Sequence, residues 1–400
     1  MTIVAAEPPK LSTPWWSAER EALQAQARAF ARDEVWPAAN EFDPVKGLIP
    51  PRLIDRLGEL GYFGITIPQE HGGLGLGVIE YCIVAEELAR SWMSVASILA
   101  RAQGLGTDVA DPDRRARLLA KSAAGRWIGS VGFSEPDAGS DLASVTTTAV
   151  RDGDEWVITG EKRWTGNALA ADFIQVLCRG GQPVKGRSNA SGLMTLLIEK
   201  ERGVFPDGIT GTPIDKIGYH GFQTWNLHLD GVRVPVSNAL GRKSQAFAET
   251  QRFLNIARVH TAARAVGLAR GALEDSIAYL QQRRQFGAPL SDFQALRFEL
   301  ADMAAQVNQA RTYYLAVAHA IDSGDGAEAD AAMVKLLATE MSVRVTNSAM
   351  QLFGGNGYTT EHQVERYWRD ARLTTIFEGT SEIQKRTISN RLLGRQERRG

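Results

Sequence analysis

The chain has 400 residues, too many for one ordinary core, so two or three packed units are expected. Its 44% hydrophobic and 23% charged residues are normal for a soluble globular protein, and a formal net charge of −1 gives no global reason for nucleic-acid or membrane binding. Cys82 and Cys178 form no CxxC pair, which argues against a disulfide framework and fits a reducing cytoplasm; no metal is expected. No stretch is apolar for long enough to span a bilayer. Met1 to Lys10 lacks the pattern of a secretory signal, and Pro8, Pro9 and Pro14 suggest an extended lead-in.

Residues 1–127 read as helical. Leu23, Ala27, Phe30, Ala31 and Val35 form one apolar stripe, with Ser17 as N-cap and Pro37 as stop. The run His71 to Gly77 does not fit GxGxxG and reads as a loop rather than a phosphate cradle. Residues 128–242 carry short runs rich in β-formers, at Trp156–Ile158, Phe173–Leu177 and Leu193–Ile198. Asp152-Gly153 signals a hairpin, and Leu227 and Leu229 alternate with His228 and Asp230 as in a half-buried strand. Gly180 to Gly192 reads as a surface loop. No useful helices separate these strands, which favours a small antiparallel barrel or sandwich over a parallel sheet. Residues 243–400 return to helix: Leu296, Leu300, Met303 and Val307 share one face, and Val334, Leu337, Met341 and Val345 another, as in an antiparallel bundle.

Four segments carry chemistry. In Ile376-Phe377-Glu378-Gly379-Thr380-Ser381-Glu382, a carboxylate stands between an aromatic residue and a glycine. Isolated glutamates are usually solvated; here Phe377 would desolvate Glu378 and raise its pKa, making it a usable base. Gly379 permits close substrate approach. Ser134 to Asp141 offers hydroxyls and amides to a planar or phosphorylated ligand, though an ordinary capped turn explains it as simply. Trp164 could stack on a flat ring or belong to the core. Arg283-Arg284-Gln285-Phe286-Gly287 and Gln351 to Gly357 combine guanidiniums with glycines, and read otherwise as a charged helix end and a helix C-cap.

Together these words resemble the acyl-CoA dehydrogenase family over nearly the whole chain. Pro68 to Gly73, Thr165 to Asp172, Val232 to Pro235, Arg283 to Gly287, Gln351 to Gly357 and Phe377 to Gln384 follow the family's order and spacing. The resemblance implies an α+β, mainly α fold: an N-terminal helical domain, a central β domain and a C-terminal four-helix bundle. It implies FAD between the domains and a homotetramer built as a pair of dimers. By resemblance Val131, Phe133, Ser134, Gly139, Ser140, Trp164, Thr165 and Gly166 would line the flavin ring and its ribityl side. Arg283, Gln285, Phe286, Phe293, Gln294, Gln351, Gly354 and Gly355 would reach the adenosine and pyrophosphate of the neighbouring subunit's FAD. Thr380 and Glu382 would touch FAD in their own subunit.

Glu378 matches the family's general base. Some members place that base near the residue that is Ala257 here, and alanine cannot serve. The implied reaction removes the pro-R α-proton of an acyl-CoA thioester and passes the β-hydride to flavin N5. The carbonyl is polarised by a ribityl hydroxyl and the Glu378 backbone N–H. Electrons then pass to an electron-transfer flavoprotein or similar acceptor. Substrate-side residues would be Ser140, Asn255, Arg258, Phe377, Gly379 and Arg101. Arg101 is expected near the end of the acyl pocket, where it could meet a polar or carboxylate tail; the plainer reading is a solvated helix arginine.

Several positions depart from the family pattern. Gly166 lacks a hydroxyl, so one flavin hydrogen bond falls to the backbone or to Thr165. Phe133 replaces an aliphatic residue, His220 an arginine and Asn255 an aspartate. A carrier-protein-bound acyl thioester is therefore an alternative substrate. A flavin monooxygenase on the same fold would usually lack Glu378. A DNA-associated relative would want a basic C-terminal surface, where Arg391, Arg395, Arg398 and Arg399 make only a short basic tail.

Overall fold

The computed structural model describes residues 13, 15–181, 191–241, 246–325 and 328–394. The lead-in with Pro8, Pro9 and Pro14, most of the Gly180–Gly192 loop, Lys243, and Arg395, Arg398 and Arg399 lie outside them.

The first region holds α1 (Ala18–Phe30), α2 (Trp36–Phe42), α3 (Pro51–Glu59), α4 (Val78–Ser91), α5 (Met93–Ile98) and α6 (Pro112–Ala123). Ser17 caps α1 by accepting from Arg20 N at 3.3 Å. The expected stripe is buried from Ala27 to Val35, with Leu23 packed at its margin. Pro37 does not stop this helix. A π turn, Ala31–Val35, opens the hydrogen-bond ladder just before the proline, which then occupies the tolerant first turn of α2. The glycine run after His71 is a loop. A Cβ on Gly73 would come within 2.0 Å of Ile67 O, so that glycine serves chain packing.

The middle region is one open, mostly antiparallel sheet rather than a closed barrel. Its strands are β1 (Gly129–Gly132), β2 (Thr148–Asp152), β3 (Glu155–Gly166), β4 (Phe173–Arg179), β5 (Leu193–Glu199), β6 (Ile209–Pro213), β7 (Thr224–Pro235) and β8 (Ala239–Leu240). The order is β6-β7-β3-β2-β4-β5-β8, with β1 added parallel to β4. β2 also meets β4 in parallel, at Thr148 and Arg179. The path ends at β6 and β8, which do not pair among the described residues. The hairpin expected at Asp152-Gly153 joins β2 to β3, with Gly153 at φ 61°. On β7, Leu227 and Leu229 face the core as the alternation requires.

The last region holds α7 (Ala246–Gln282), α8 (Gln294–Asp322), α9 (Glu328–Phe353), α10 (Val364–Thr374) and α11 (Ser381–Leu392). A two-stranded ribbon, β9 (Arg284–Gln285) with β10 (Ala288–Pro289), joins α7 to α8 through Phe286 and Gly287, both at positive φ. On α8, Met303 and Val307 are buried while Leu296 and Leu300 pack at the edge. On α9, Val334, Met341 and Val345 are buried as expected, but Leu337 is 51% exposed. Ala338 occupies the seam instead, because a step of four holds a helix face better than a step of three.

α7 is the spine. Its 37 residues run ~55 Å at 1.5 Å per residue. It packs on α4 of the first region and on α8, α9 and α10 of the last, so both helical regions share one apolar core. Buried ions reinforce the seam. Arg270 on α7 donates to Glu86 at 2.7 Å and to Glu87 at 2.8 Å on α4. Gln24 and Arg28 on α1 also reach Glu87, and Arg311 on α8 reaches Glu86. Although burial alone would raise it, the Arg270 and Arg28 guanidiniums hold the Glu87 carboxyl down at about 2.

Candidate active site

Glu378 lies in the turn between α10 and α11, with φ 54°, a conformation a non-glycine residue adopts only when its surroundings enforce it. Gly379 follows at φ 88°. Its carbonyl accepts from the buried Lys335 ammonium at 2.6 Å and from Gln384 Nε2 at 3.0 Å. Thr380 then caps α11 by accepting from Ile383 N at 3.3 Å. The Glu378 backbone N–H makes no backbone hydrogen bond among the described residues.

The turn aims the Glu378 carboxylate at α7. Oε2 accepts from Arg264 Nη2 at 2.8 Å and from the Thr261 hydroxyl. Arg264 is buried, also donates to Ser97 Oγ on α5 at 2.7 Å, and lies over the Phe377 ring at 4.9 Å. Burial works to raise the Glu378 pKa, as Phe377 suggests, but Arg264, Thr261 and Arg101 outweigh it and hold the carboxyl below its usual value. The raised pKa expected from the sequence is thus reversed. Lys335, close by, is pushed down to about 8, chiefly by burial.

The residues expected beside a flavin gather where β1 meets β3. β1 lies against β3, and Arg163 N donates to Ser134 O at 2.8 Å, which aligns Val131, Phe133 and Ser134 with Trp164, Thr165 and Gly166. Glu135 anchors the Ser134 loop. Its carboxylate accepts from the buried Lys162 Nζ at 2.7 Å, from Thr146 N at 2.7 Å and from the buried Thr147 N at 2.9 Å. Against burial, these donors, Lys162 foremost, keep its pKa at about 2. Gly139 and Ser140 stay exposed at the tip. Trp164 is not core: at φ 63° its ring is 54% exposed, with the Arg163 guanidinium 4.9 Å above it. Thr165 Oγ1 is buried with no partner among the described residues.

The departure at Gly166 has a packing reason. A Cβ there would lie 2.4 Å from the Phe222 ring. Phe222 stacks on Tyr219 at 5.1 Å, and Tyr219 meets Phe377 edge-on at 6.0 Å. A run of aromatic contacts therefore links the flavin-side strand to the turn carrying Glu378. Tyr219 has φ 57°, and its N–H donates to Asp370 Oδ1 on α10 at 2.6 Å. His220 turns away from the site: Nδ1 faces Asp43 O at 3.1 Å and Nε2 faces Lys216 O at 3.2 Å.

Of the substrate-side residues, Phe377 and Gly379 flank the base. Arg101 ends a 3₁₀ turn after α5 and is half-buried, not a solvated helix arginine; it lies over Phe222 at 5.3 Å. Asn255 and Arg258 are buried on α7 and bonded to each other at 3.3 Å, with Glu328 at 3.6 Å from Arg258. Ser140 is on the exposed loop tip. The remaining expected cofactor residues form a separate exposed surface. Arg283, Gln285, Gln294, Gln351, Gly354 and Gly355 are exposed, Phe293 is half-buried, and the Phe286 ring is 95% exposed. Thr380 and Glu382 line a hollow of about 200 Å³ with Arg372 and Glu340.

Thr261, Arg264, His260, Tyr81, Ser97 and the Tyr219–Phe222 pair escaped the sequence reading. One signal was available: Asn255, Arg258, Thr261 and Arg264 put a polar side chain at every third position along this stretch of α7.

The residues present suit a flavin nucleotide. An exposed indole, a buried hydroxyl without a partner among the described residues and an open glycine-tipped loop lie on the side that the Phe222–Tyr219–Phe377 contacts join to the Glu378 turn, and an exposed aromatic ring with nearby guanidiniums lies on a separate surface.

The regions follow in the order helical, β, helical, with a half-buried carboxylate held against α7 by Arg264. Sequence signatures of acyl-CoA dehydrogenases match throughout: the N-terminal domain over residues 17–126, the middle domain over 130–232 and the C-terminal domain over 247–393. The chain is 38% identical over 380 residues to a probable acyl-CoA dehydrogenase, YngJ, of Bacillus subtilis, covering 94% of this chain and 98% of that one. It is 37% identical over 388 residues to (2S)-methylsuccinyl-CoA dehydrogenase of Cereibacter sphaeroides, covering 94% and 70%. The solved glutaryl-coenzyme A dehydrogenase glutaryl-CoA complex superposes with a TM-score of 0.86 at 32% identity, covering 96% and 98%. The chain belongs to the acyl-CoA dehydrogenase family and is an oxidoreductase.

Proposed function

We propose that the protein desaturates the α,β-bond of an acyl-CoA thioester, with Glu378 as the base that takes the α-proton and FAD as cofactor. The observation that carries this reading is the half-buried Glu378 carboxylate, held ionised by Arg264 and joined by the Phe377–Tyr219–Phe222–Gly166 contacts to the strand suited to a flavin. Bound FAD would supply the hydride acceptor. Val131, Phe133, Ser134, Gly139, Ser140, Trp164, Thr165 and Gly166 would hold its ring side, and Thr380 and Glu382 would meet it across the α11 cap.

Glu378 needs an ionised oxygen at the substrate α-carbon. Arg264 and Thr261 keep it ionised and fix its direction, leaving the second oxygen for the proton. The free Glu378 N–H lies beside Gly379 and is available to the thioester carbonyl, which must be polarised to acidify the α-carbon. Phe377 and Tyr219 exclude water from the reacting atoms. Asn255 and Arg258 would meet the thioester from α7.

CoA as the thioester's carrier is supported by relatives whose names specify CoA substrates. Exposed Phe286, Phe298 and Leu337 support assembly with further copies, in which Arg283, Gln285, Phe286, Phe293, Gln294, Gln351, Gly354 and Gly355 would complete a neighbour's FAD site. An electron-transfer flavoprotein is the proposed acceptor.

The test is Glu378→Gln, assayed for bound FAD and for anaerobic flavin bleaching by acyl-CoA and acyl-carrier thioesters. The variant should retain FAD while kcat/KM falls by roughly 10²–10⁴-fold, the share of a positioned base. Unchanged turnover would refute the base assignment. Bleaching of the wild type by carrier-bound acyl groups alone would refute CoA as the carrier.

A further inference from the structure

The acyl side of the site holds more buried cationic and donor capacity than one glutamate uses. Arg264 satisfies Glu378, Thr261 and Ser97 with its terminal nitrogens, yet its Nε is buried without a partner. The Arg101 Nε is likewise buried and unpartnered, and Arg101 has no ion pair among the described residues. His260, one position before Thr261 on α7, is 1% exposed, and neither ring nitrogen has a partner among the described residues. Burial holds its pKa well below normal, so the ring is neutral and one nitrogen carries a donor hydrogen. Its ring stacks on Tyr81 at 4.3 Å.

Contacts bring Arg101 and Arg264 to the same region: Arg101 lies over Phe222, which stacks on Tyr219, and Tyr219 and Arg264 both meet Phe377, while His260 sits one turn from Arg264 on α7. Buried donors left unsatisfied are unfavourable, and two guanidiniums facing a single carboxylate are more so. Phe222 explains how Arg101 is kept there: its ring supports the guanidinium, and Gly166 leaves room for that ring. An uncharged hydrocarbon tail would leave every one of these donors unpaired.

Resting on the acyl-CoA reading above, we propose that the acyl group carries its own terminal carboxylate, bound by Arg101 and Arg264 with His260 as neutral donor. The chain between thioester and carboxylate is short. Arg264 touches the base that must face the α-carbon, so a carboxylate reaching the free Nε of the same guanidinium lies only a few bonds from that carbon. Binding would also divide Arg264 between two carboxylates. That weakens its hold on Glu378 and makes it a stronger base once the correct substrate is in place.

The experiment compares the FAD-loaded wild type and Arg101→Met on equal-length pairs: glutaryl-CoA against valeryl-CoA, and methylsuccinyl-CoA against 2-methylbutyryl-CoA. Wild-type kcat/KM should favour a dicarboxylyl thioester. In Arg101→Met that preference should collapse by about a hundredfold, mainly through KM, with FAD content and melting temperature retained. Arg101→Lys should restore part of it. A wild type that prefers the uncharged partner of every pair, or an Arg101→Met variant that loses both substrates equally or loses FAD, overturns the carboxylate pocket. Failure to oxidise any acyl thioester would instead overturn the dehydrogenase reading itself.

Discussion

A base that must take a carbon-bound proton is stronger when its carboxylate is not over-stabilised, yet it must be ionised to act at all. As the proposed base, Glu378 would meet the second demand through Arg264, whose guanidinium outweighs the burial that would keep the acid protonated. The pH profile should record that balance. The acid limb of kcat/KM, which reports the free enzyme, should lie below the ordinary glutamate range in the wild type. In Arg264→Met it should move to higher pH, because desolvation then acts without its counter-charge, and Arg264→Lys should return it part of the way. An acid limb that stays put in Arg264→Met would show that Arg264 does not set the ionisation of Glu378. The sequence exposed Glu378 because Phe and Gly flank it locally. It concealed Arg264, which is 114 residues away and meets it only through the fold.

At the scale of elements, α7 and α4 carry the heaviest electrostatic load. Arg270 faces two buried carboxylates, and removing it leaves Glu87 to Gln24 and Arg28 and Glu86 to Arg311 and Tyr314. Arg270→Met should therefore destabilise the protein by about 3 kcal/mol, the lower end of the usual penalty for breaking one side of a buried pair. Chemical denaturation measures this directly, and a loss below about 1 kcal/mol would contradict the role assigned to the cluster. The helices and most strands were legible in the sequence because their patterning is local: Ser17 caps, Leu227 and Leu229 alternate, and Asp152-Gly153 turns. Pro37 misled because a π turn upstream absorbed it. Sheet closure misled because strand patterning fixes which face is buried, not whether the two ends of the path meet.

Across the whole molecule, the Lys216–Phe222 segment ties the β region to both helical regions. His220 is its pH-sensitive part. It faces the Asp43 carboxylate at 3.7 Å, with Arg369, Asp370, Arg366, Lys216 and Asp215 around it. Its Nδ1 faces Asp43 O at 3.1 Å and the Arg369 guanidinium at 3.4 Å, and its Nε2 faces Lys216 O at 3.2 Å. Asp43 raises the His220 pKa above its usual value. A raised folded-state pKa means its stabilisation is fully present below the unfolded value of about 6.5 and fades as pH rises through the folded value. Melting temperatures across that window should fall with rising pH in the wild type and lose that slope in His220→Asn. Equal slopes in the two proteins would exclude His220 as the titrating tie.

Glu135 has a consequence for how a ligand is received. The Ser134 loop is fastened from beneath by an ion pair and two backbone amides inside the protein's own core, independent of anything bound above. The conformational entropy of those residues is therefore paid during folding, not at encounter. The proposed nucleotide would meet a loop whose shape is already set, and more of its contact energy would remain as affinity.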